Sequence, residues 1–295
     1  ISVSAFLLNR SSDLLVGLVA LTKAAVTSYA SLEQNIGGIE TLFEDLSYDV
    51  EENAQKAYKT AGLSANEYYE TAMSFAASLN QSLMRTEGNI AKSAKLTDMA
   101  IIDMSDNANK MGTSMESIRT AYAGFAKQNY TMLDNLKLGY GGTKAEMERL
   151  LKDAEKISGV KYDISNLSDV YQAIHVIQGE LGITGTTAKE AEATISGSIA
   201  SLKASWDNFL NGSGDLGAVM DNVQNVIQNV ITAAGKLMPQ IIDSLVKGIP
   251  DIVKTAKEII TKLKDGFVKN SKQILEAAKS IITTLIQGMA EILPD

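Results

Sequence analysis

The chain has 295 residues, 45 % of them apolar, which allows one or two domains with a buried core. It has no cysteine and one histidine, His175, which excludes disulfide staples, thiol chemistry, zinc sites of the His/Cys kind and a His-Glu-x-x-His protease helix. The net charge of −8 lacks the basic footprint of a nucleic-acid binder, so no specific nucleic acid is expected as a partner.

Residues 1–30 read as an N-terminal apolar helical segment. Its most apolar window, Leu14 to Leu21, is bounded by Asp13 and Lys23 and falls far short of the roughly 20 residues that cross a bilayer. No signal peptide is visible, and a start at Ile1 in place of methionine leads us to expect a processed chain or the continuation of a longer one. Residues 33 to 70 then carry nine acids against Lys56 and Lys59, a net of −7, read as a solvated helix face.

Residues 31–210 read as an array of short to medium helices. A Ser or Thr followed three residues later by Glu or Gln marks a helix start, because each side chain satisfies the other residue's free backbone N–H. Five such pairs stand out: Ser31 with Gln34, Ser64 with Glu67, Thr113 with Glu116, Thr143 with Glu146, and Thr187 with Glu190. Glycines between them, at Gly62, Gly88, Gly112, Gly139, Gly141, Gly142, Gly159, Gly182 and Gly185, supply the left-handed conformation that ends a helix. Few prolines and no alternating β-branched runs argue against strands.

Within the array, Asp103, Asp106, Asn107 and Asn109 lack the glycine and glutamate of a calcium loop and read as a solvated face or turn. Met132, Leu133, Leu136 and Leu138 are expected to close one helix before the Gly139–Gly142 turn. Met147, Leu150, Leu151, Ala154 and Ile157 give the apolar face of the next. In GYGGTK, Thr143 intervenes where a phosphate loop needs Gly directly before Lys. Leu167, Val170, Ile174, Ile177 and Leu181 form a further face, with His175 beside it as a packing or surface residue. Trp206 is expected to anchor a helix packing face, with a partner contact as the alternative.

Residues 211–217, NGSGDLG, have the composition of a flexible hinge. Beyond it, residues 218–295 form a repetitive amphipathic segment. The octet Ile-Ile-x-x-Leu-x-x-Gly appears at 241–248, 259–266 and 281–288. The period of about 3.6 residues keeps the apolar stripe on one side of a nearly straight rod. The stripe runs through Val223, Val230, Leu237, Ile241, Leu245, Ile252, Ile259, Leu263, Ile274, Ile281, Leu285 and Ile292. Burying one such side chain is worth on the order of 1.5–3 kcal/mol, so the rod is expected to bundle with copies of itself or to meet a tube wall or a membrane. Pro239 and Pro250 are expected to kink or break it.

The block AKQNYTMLDNLKLGYGGTKAEMERLL, Ala126 to Leu151, resembles the signature region of phage tail tape measure proteins. The likeness extends from SYASLEQNIGGIETLF through LSANEYYETAMSFAASL and DMAIIDMSDNANKMGTSMESIRTAYAGF to SLKASWDNFL, about 180 of the 295 residues. It implies a structural protein of a phage or phage-tail-like particle, made in the bacterial cytoplasm and lodged inside the tail tube. Such a protein sets tail length, contacts tube and tail tip or baseplate hub proteins, and leaves ahead of the genome or effector. Three-fold hubs of such tails imply a parallel homotrimeric bundle of residues 219 to 292. Some tape measure proteins carry a lytic transglycosylase domain, but the motif that should follow Glu116-Ser117 is missing from TAYAGFAKQ.

The resulting expectation is an all-α array followed by an extended amphipathic helical rod, with no catalytic, cofactor-binding or metal-ligating residue. A membrane-active helical protein that forms or promotes a channel is the alternative, since lysines such as Lys254, Lys257, Lys262 and Lys264 accompany the apolar stripe.

Overall fold

The computed structural model describes residues 3–248 together with Thr261 and Asp265, with side chains over 22–239 and at those two positions. The described residues are all-helical, with no strand among them. The elements in order are α1 (Val3–Phe43), α2 (Ser47–Thr60), α3 (Ala65–Glu87), α4 (Ser93–Met111), α5 (Met115–Phe125), α6 (Lys144–Ser158), α7 (Leu167–Glu180), α8 (Thr186–Ala193), α9 (Ile195–Asn211) and α10 (Leu216–Gly248). A first compact unit ends at Val230 and a second starts at Ile231.

The core of the first unit is built around α3, which packs against α1, α2, α4, α5 and α7. Its buried stripe of Tyr68, Phe75, Leu79 and Leu83 recurs at helical spacing and meets Ile39 and Phe43 of α1, Ile101 of α4 and Tyr171 of α7 in one cluster. Phe75 and Tyr171 meet edge to face, with ring centroids 5.5 Å apart, and the Tyr171 hydroxyl donates to the Tyr122 carbonyl at 3.1 Å. The acidic block of 33–70 lies mostly on exposed helix positions, as expected.

The helix starts agree only in part with the sequence pattern. Ser64 and Glu67 form a complete reciprocal cap. Thr143 caps α6, while the Glu146 carboxylate turns to the Gly141 N–H at 3.0 Å. The cap of α5 is Ser114, one residue later than expected, because Thr113 Oγ1 is bound to the Asn135 carbonyl at 3.0 Å. Ser31 and Gln34 start nothing: α1 runs through them, held by buried Leu32, Ile39 and Phe43. At Gly38 α1 meets Met73 of α3: a Cβ there would lie 2.4 Å from Met73 Sδ, so that side chain would have to move aside. Thr187 lies within α8, whose start is capped from elsewhere in the chain.

Residues 132–138 are not a closing α-helix. Leu133–Leu136 form one turn of 3-10 helix, ended by Lys137 at φ 53°, with Leu133, Leu136 and Leu138 buried and Met132 exposed. In the glycine string that follows, Gly142 meets a steric need: a Cβ there would sit 2.2 Å from the Thr131 carbonyl oxygen. Ile157 and Leu181, assigned to apolar faces, are exposed at the ends of α6 and α7, while the other residues of those faces are buried.

Residues 211–217 make a hydrogen-bonded turn. Gly212 ends α9 at φ 79°, the Gly214 N–H donates to the Asn208 carbonyl at 3.0 Å, and Asp215 accepts from the Ala218 N–H at 2.8 Å. The helix α10 continues through Pro239 instead of breaking there. One missing N–H removes a single rung of a ladder whose other rungs remain. Pro250 lies outside the described residues.

Candidate functional site

A polar cluster joins α4, α7 and α8. Asp103 and Asp106, expected in a solvated segment, are 1 % and 0 % exposed, and Asn107 is equally buried. Both carboxylates have partners that make burial tolerable, and Asn107 is bonded through its amide nitrogen alone. Asp103 lies 2.8 and 3.0 Å, oxygen by oxygen, from His175 Nδ1. Asp106 accepts from the Gly185 and Thr187 backbone N–H groups at 2.5 and 2.7 Å, and so caps α8. Asn107 donates to the Leu136 carbonyl, and exposed Asn109 donates to Glu190.

Burial pushes the Asp103 carboxyl up to about 6, with His175 partly offsetting the effect. The hydrogen bond to Asp103 raises the imidazole of His175 against its own desolvation. An acid and a base in contact form a tie between helices, and nucleophilic catalysis needs a third group beside them. Glu116 points outward and pairs with Arg119.

An open cleft of about 390 Å³ lies between α2, α8, α9 and α10, lined by Tyr58, Lys59, Ser201, Asp221, Asn222 and Asn225 among others. Its wall is already bonded: Ser201 Oγ is 2.9 Å from the Tyr58 carbonyl and 2.8 Å from Asn222 Oδ1. Among the described residues no group of three or more His, Cys, Asp or Glu side chains could hold a metal ion. No described helix is long and apolar enough to cross a membrane.

The most unusual surface is that of α9, which buries small polar residues and leaves large apolar ones partly exposed. Its buried side is Ser198, Ser201, Ala204, Ser205, Asn208 and Asn211. Small polar residues fit there because they bond to their neighbours. Asn208 Oδ1 accepts from the Ala65 N–H at 2.7 Å, capping α3, and Asn211 Oδ1 accepts from the Ser213 N–H at 2.9 Å. The outward side is mixed: Ile199 at 50 %, Trp206 at 38 % and Phe209 at 36 % exposure stand beside exposed Ser196, Ala200 and Lys203. Trp206, expected on a helix packing face, leaves 38 % of its surface exposed and has the rest covered. Its ring packs on Phe209, centroids 5.7 Å apart, and both face outward.

Helix α10 buries Val219 and Asn222 and exposes Met220, Ile227 and Val230. Of the stripe read from the sequence, Val223 is half-buried, and Val230 and Leu237 are exposed at 44 and 54 %. Ile241 and Leu245 lie on the backbone of α10 with side chains outside the described set. Ile252, Ile259, Leu263, Ile274, Ile281, Leu285 and Ile292 lie outside the described residues.

The sequence reading singled out Trp206 alone on α9 and missed Ile195, Ile199, Leu202 and Phe209. Their signal was present: 195, 199, 202, 206 and 209 are spaced 4, 3, 4 and 3 residues apart, the spacing of one helical seam. What spacing could not give is which way the seam faces. No protein-family model, curated protein or solved structure matches the chain.

Proposed function

We propose that the chain is a structural tape measure protein of a phage tail or phage-tail-like particle. It occupies the tube lumen, sets tail length, contacts the tail tip or baseplate hub, and is released on delivery. The observation that carries this reading is the resemblance along Ser31–Leu210, centred on Ala126–Leu151. Two features support it. The described residues are all-helical with no strand among them, and a helix lying along the tube would lengthen the chain by about 1.5 Å per residue, as a ruler requires. Helix α10 exposes Ile227, Val230 and Leu237, of which Val230 and Leu237 belong to the Ile/Leu stripe that continues in the sequence. That stripe would bundle parallel copies of residues 219 to 292 on the tail axis, three-fold by the same resemblance.

The test is tail length. Excising the 40 residues from Ile241 through Ser280, which removes two octets and leaves the third in register, should shorten tails by about 60 Å if this stretch spans the tube as helix. Electron microscopy of particles from the producing cells reads the change. Tails of unchanged length would reject the ruler, and dye release from liposomes by the full chain would favour the channel-forming alternative.

A further inference from the structure

We propose that His175 is a pH latch on the start of α8. While the imidazole carries its second proton, residues 184–187 stay closed on α4, and loss of that proton lets them open locally.

Three side chains build the latch. Asp103 and Asp106 stand on one side of α4, both withdrawn from water. Asp103 meets the imidazole Nδ1 with its two oxygens, while Asp106 gives both of its oxygens to the Gly185 and Thr187 N–H groups at the start of α8. One carboxylate thus holds a titratable ring and the other holds a helix start. The ring is the member of the trio that reaches solvent, with 40 % of its side chain exposed, so it exchanges protons with water while the core stays shut.

Charge connects the two ends. The bond to Asp103 is the main lift on His175 and burial the main lift on Asp103, and the Asp106 charge adds to both. The other helices packed on α7, α3 and α6, meet it in the apolar core cluster, so the charges that act on the ring come from α4. Glu190 of α8 is turned to Asn109, and the Tyr122 hydroxyl of α5 keeps its proton because it is buried and faces the Asp103 charge. A protonated ring therefore leaves the trio with one uncompensated negative charge. A neutral ring keeps its Nδ1–H bond to Asp103 but leaves two carboxylates facing each other in a medium where like charges repel strongly.

Water relieves that repulsion, and the start of α8 is where it can enter. Of the eight residues of α8 only Ala191 is buried, and Ile183 is the buried apolar residue on the other side of the cap. Between these two pins residues 184–187 are half-buried and bury no large apolar side chain. Gly185 sits there at φ 79°, with no side chain to resist a change of backbone. A stretch held by two hydrogen bonds and little apolar area is of the kind that opens without the rest of the fold, and its opening exposes Asp106 first.

His175 is the only histidine, which makes the test direct. On the full chain with ring-labelled histidine, nuclear magnetic resonance follows the imidazole from about pH 6 to 9. Hydrogen exchange over the same range, corrected for the intrinsic rate, gives the protection of each amide. Protection at Gly185 and Thr187 should fall by about tenfold or more, with its midpoint on the titration of the ring, and stay below that of Leu79 and Leu83 in α3 at every pH. The Glu146 amide, at the separately capped start of α6, should change by less than about threefold. Asp103→Asn/His175→Gln, which removes both titrating groups and keeps polar side chains in their place, should hold Gly185 and Thr187 within about twofold over the range. Protection equal to that of Leu79 and Leu83 would mean that α8 opens only with the whole fold, and would overturn the latch. So would protection that does not fall, that falls away from the midpoint of the ring, or that falls as steeply in the double variant. The wild-type amides decide by themselves if that variant does not fold. The latch does not rest on the tail reading, since these amides answer to pH whatever the length of the tails.

Discussion

At the scale of the residue, Asp103 shows how a carboxylate can be held in a core at a cost that depends on pH. Its carboxyl titrates near 6 in the fold against about 3.9 in an unfolded chain, because desolvation outweighs the help of His175. The folded state thus binds this proton more tightly, and the carboxyl destabilises the fold as pH rises from about 4 through 6. His175, raised above its usual value by the same contact, contributes stability that is full below about 6.5 and lost as pH climbs through its folded value. Both groups therefore lower stability as pH increases. Asp103→Asn keeps an acceptor for the imidazole and removes the ionisable group. It should be nearly neutral at pH 3, below both carboxyl values, and stabilise by on the order of 2–3 kcal/mol at pH 8 in urea unfolding. A loss of stability at pH 8 would mean that the ion pair outweighs desolvation. Neither partner was legible as such: a lone histidine and an aspartate 72 residues away carry no shared pattern, and the Asp/Asn-rich segment around 103–109 reads as solvated until the fold supplies partners.

At the scale of the element, the legible helix starts were the ones whose caps lie within a few residues. Ser64 and Glu67 need only each other, so their spacing sufficed. The cap of α8 comes from Asp106, 79 and 81 residues from the N–H groups it accepts, and that of α3 is reinforced by Asn208, 143 residues from Ala65. Local pattern has no access to such pairs. Asp106→Ala would leave two buried donors at the start of α8 unpaired and should cost about 2–4 kcal/mol, more than the usual cap of about 1 kcal/mol. Asp106→Asn, with one acceptor oxygen in place of two, should lose about half as much. Hydrogen exchange at Gly185 and Thr187 should accelerate in both, and protection unchanged in Asp106→Ala would remove the role assigned to this carboxylate. In α9 the amphipathic period was also legible, but the usual inference from apolar to buried fails there, because hydrogen bonds to α2, α3 and α10 fix the polar side inward.

At the scale of the whole molecule, the all-α class followed from scarce proline, capped starts and glycine stops, properties that act locally and survive any arrangement of the helices. Where the chain divides into units does not follow from composition. The NGSGDLG turn has the glycines of a hinge, yet it is bonded internally, and the helix after it is tied back by Asn222 to Ser201 and by Asn229 to the Glu192 and Thr194 carbonyls. Opening this turn to a protease requires those bonds to break together, so its local opening should be rare. Past Asn229 nearly every side chain to Leu237 is exposed, and Gly235 sits in mid-helix with nothing within 4 Å of where a Cβ would be. A helical glycine of that kind weakens its segment by roughly 0.5–1 kcal/mol relative to alanine. Limited proteolysis with subtilisin should therefore cut first between Ile231 and Leu237, leaving a stable fragment that retains the NGSGDLG turn. Gly235→Ala, which adds a methyl group into open space, should slow that cut about two- to five-fold. Mass spectrometry of the early products decides the matter: a first cut within Asn211–Gly217 would show that the hydrogen bonds of the turn do not hold it closed.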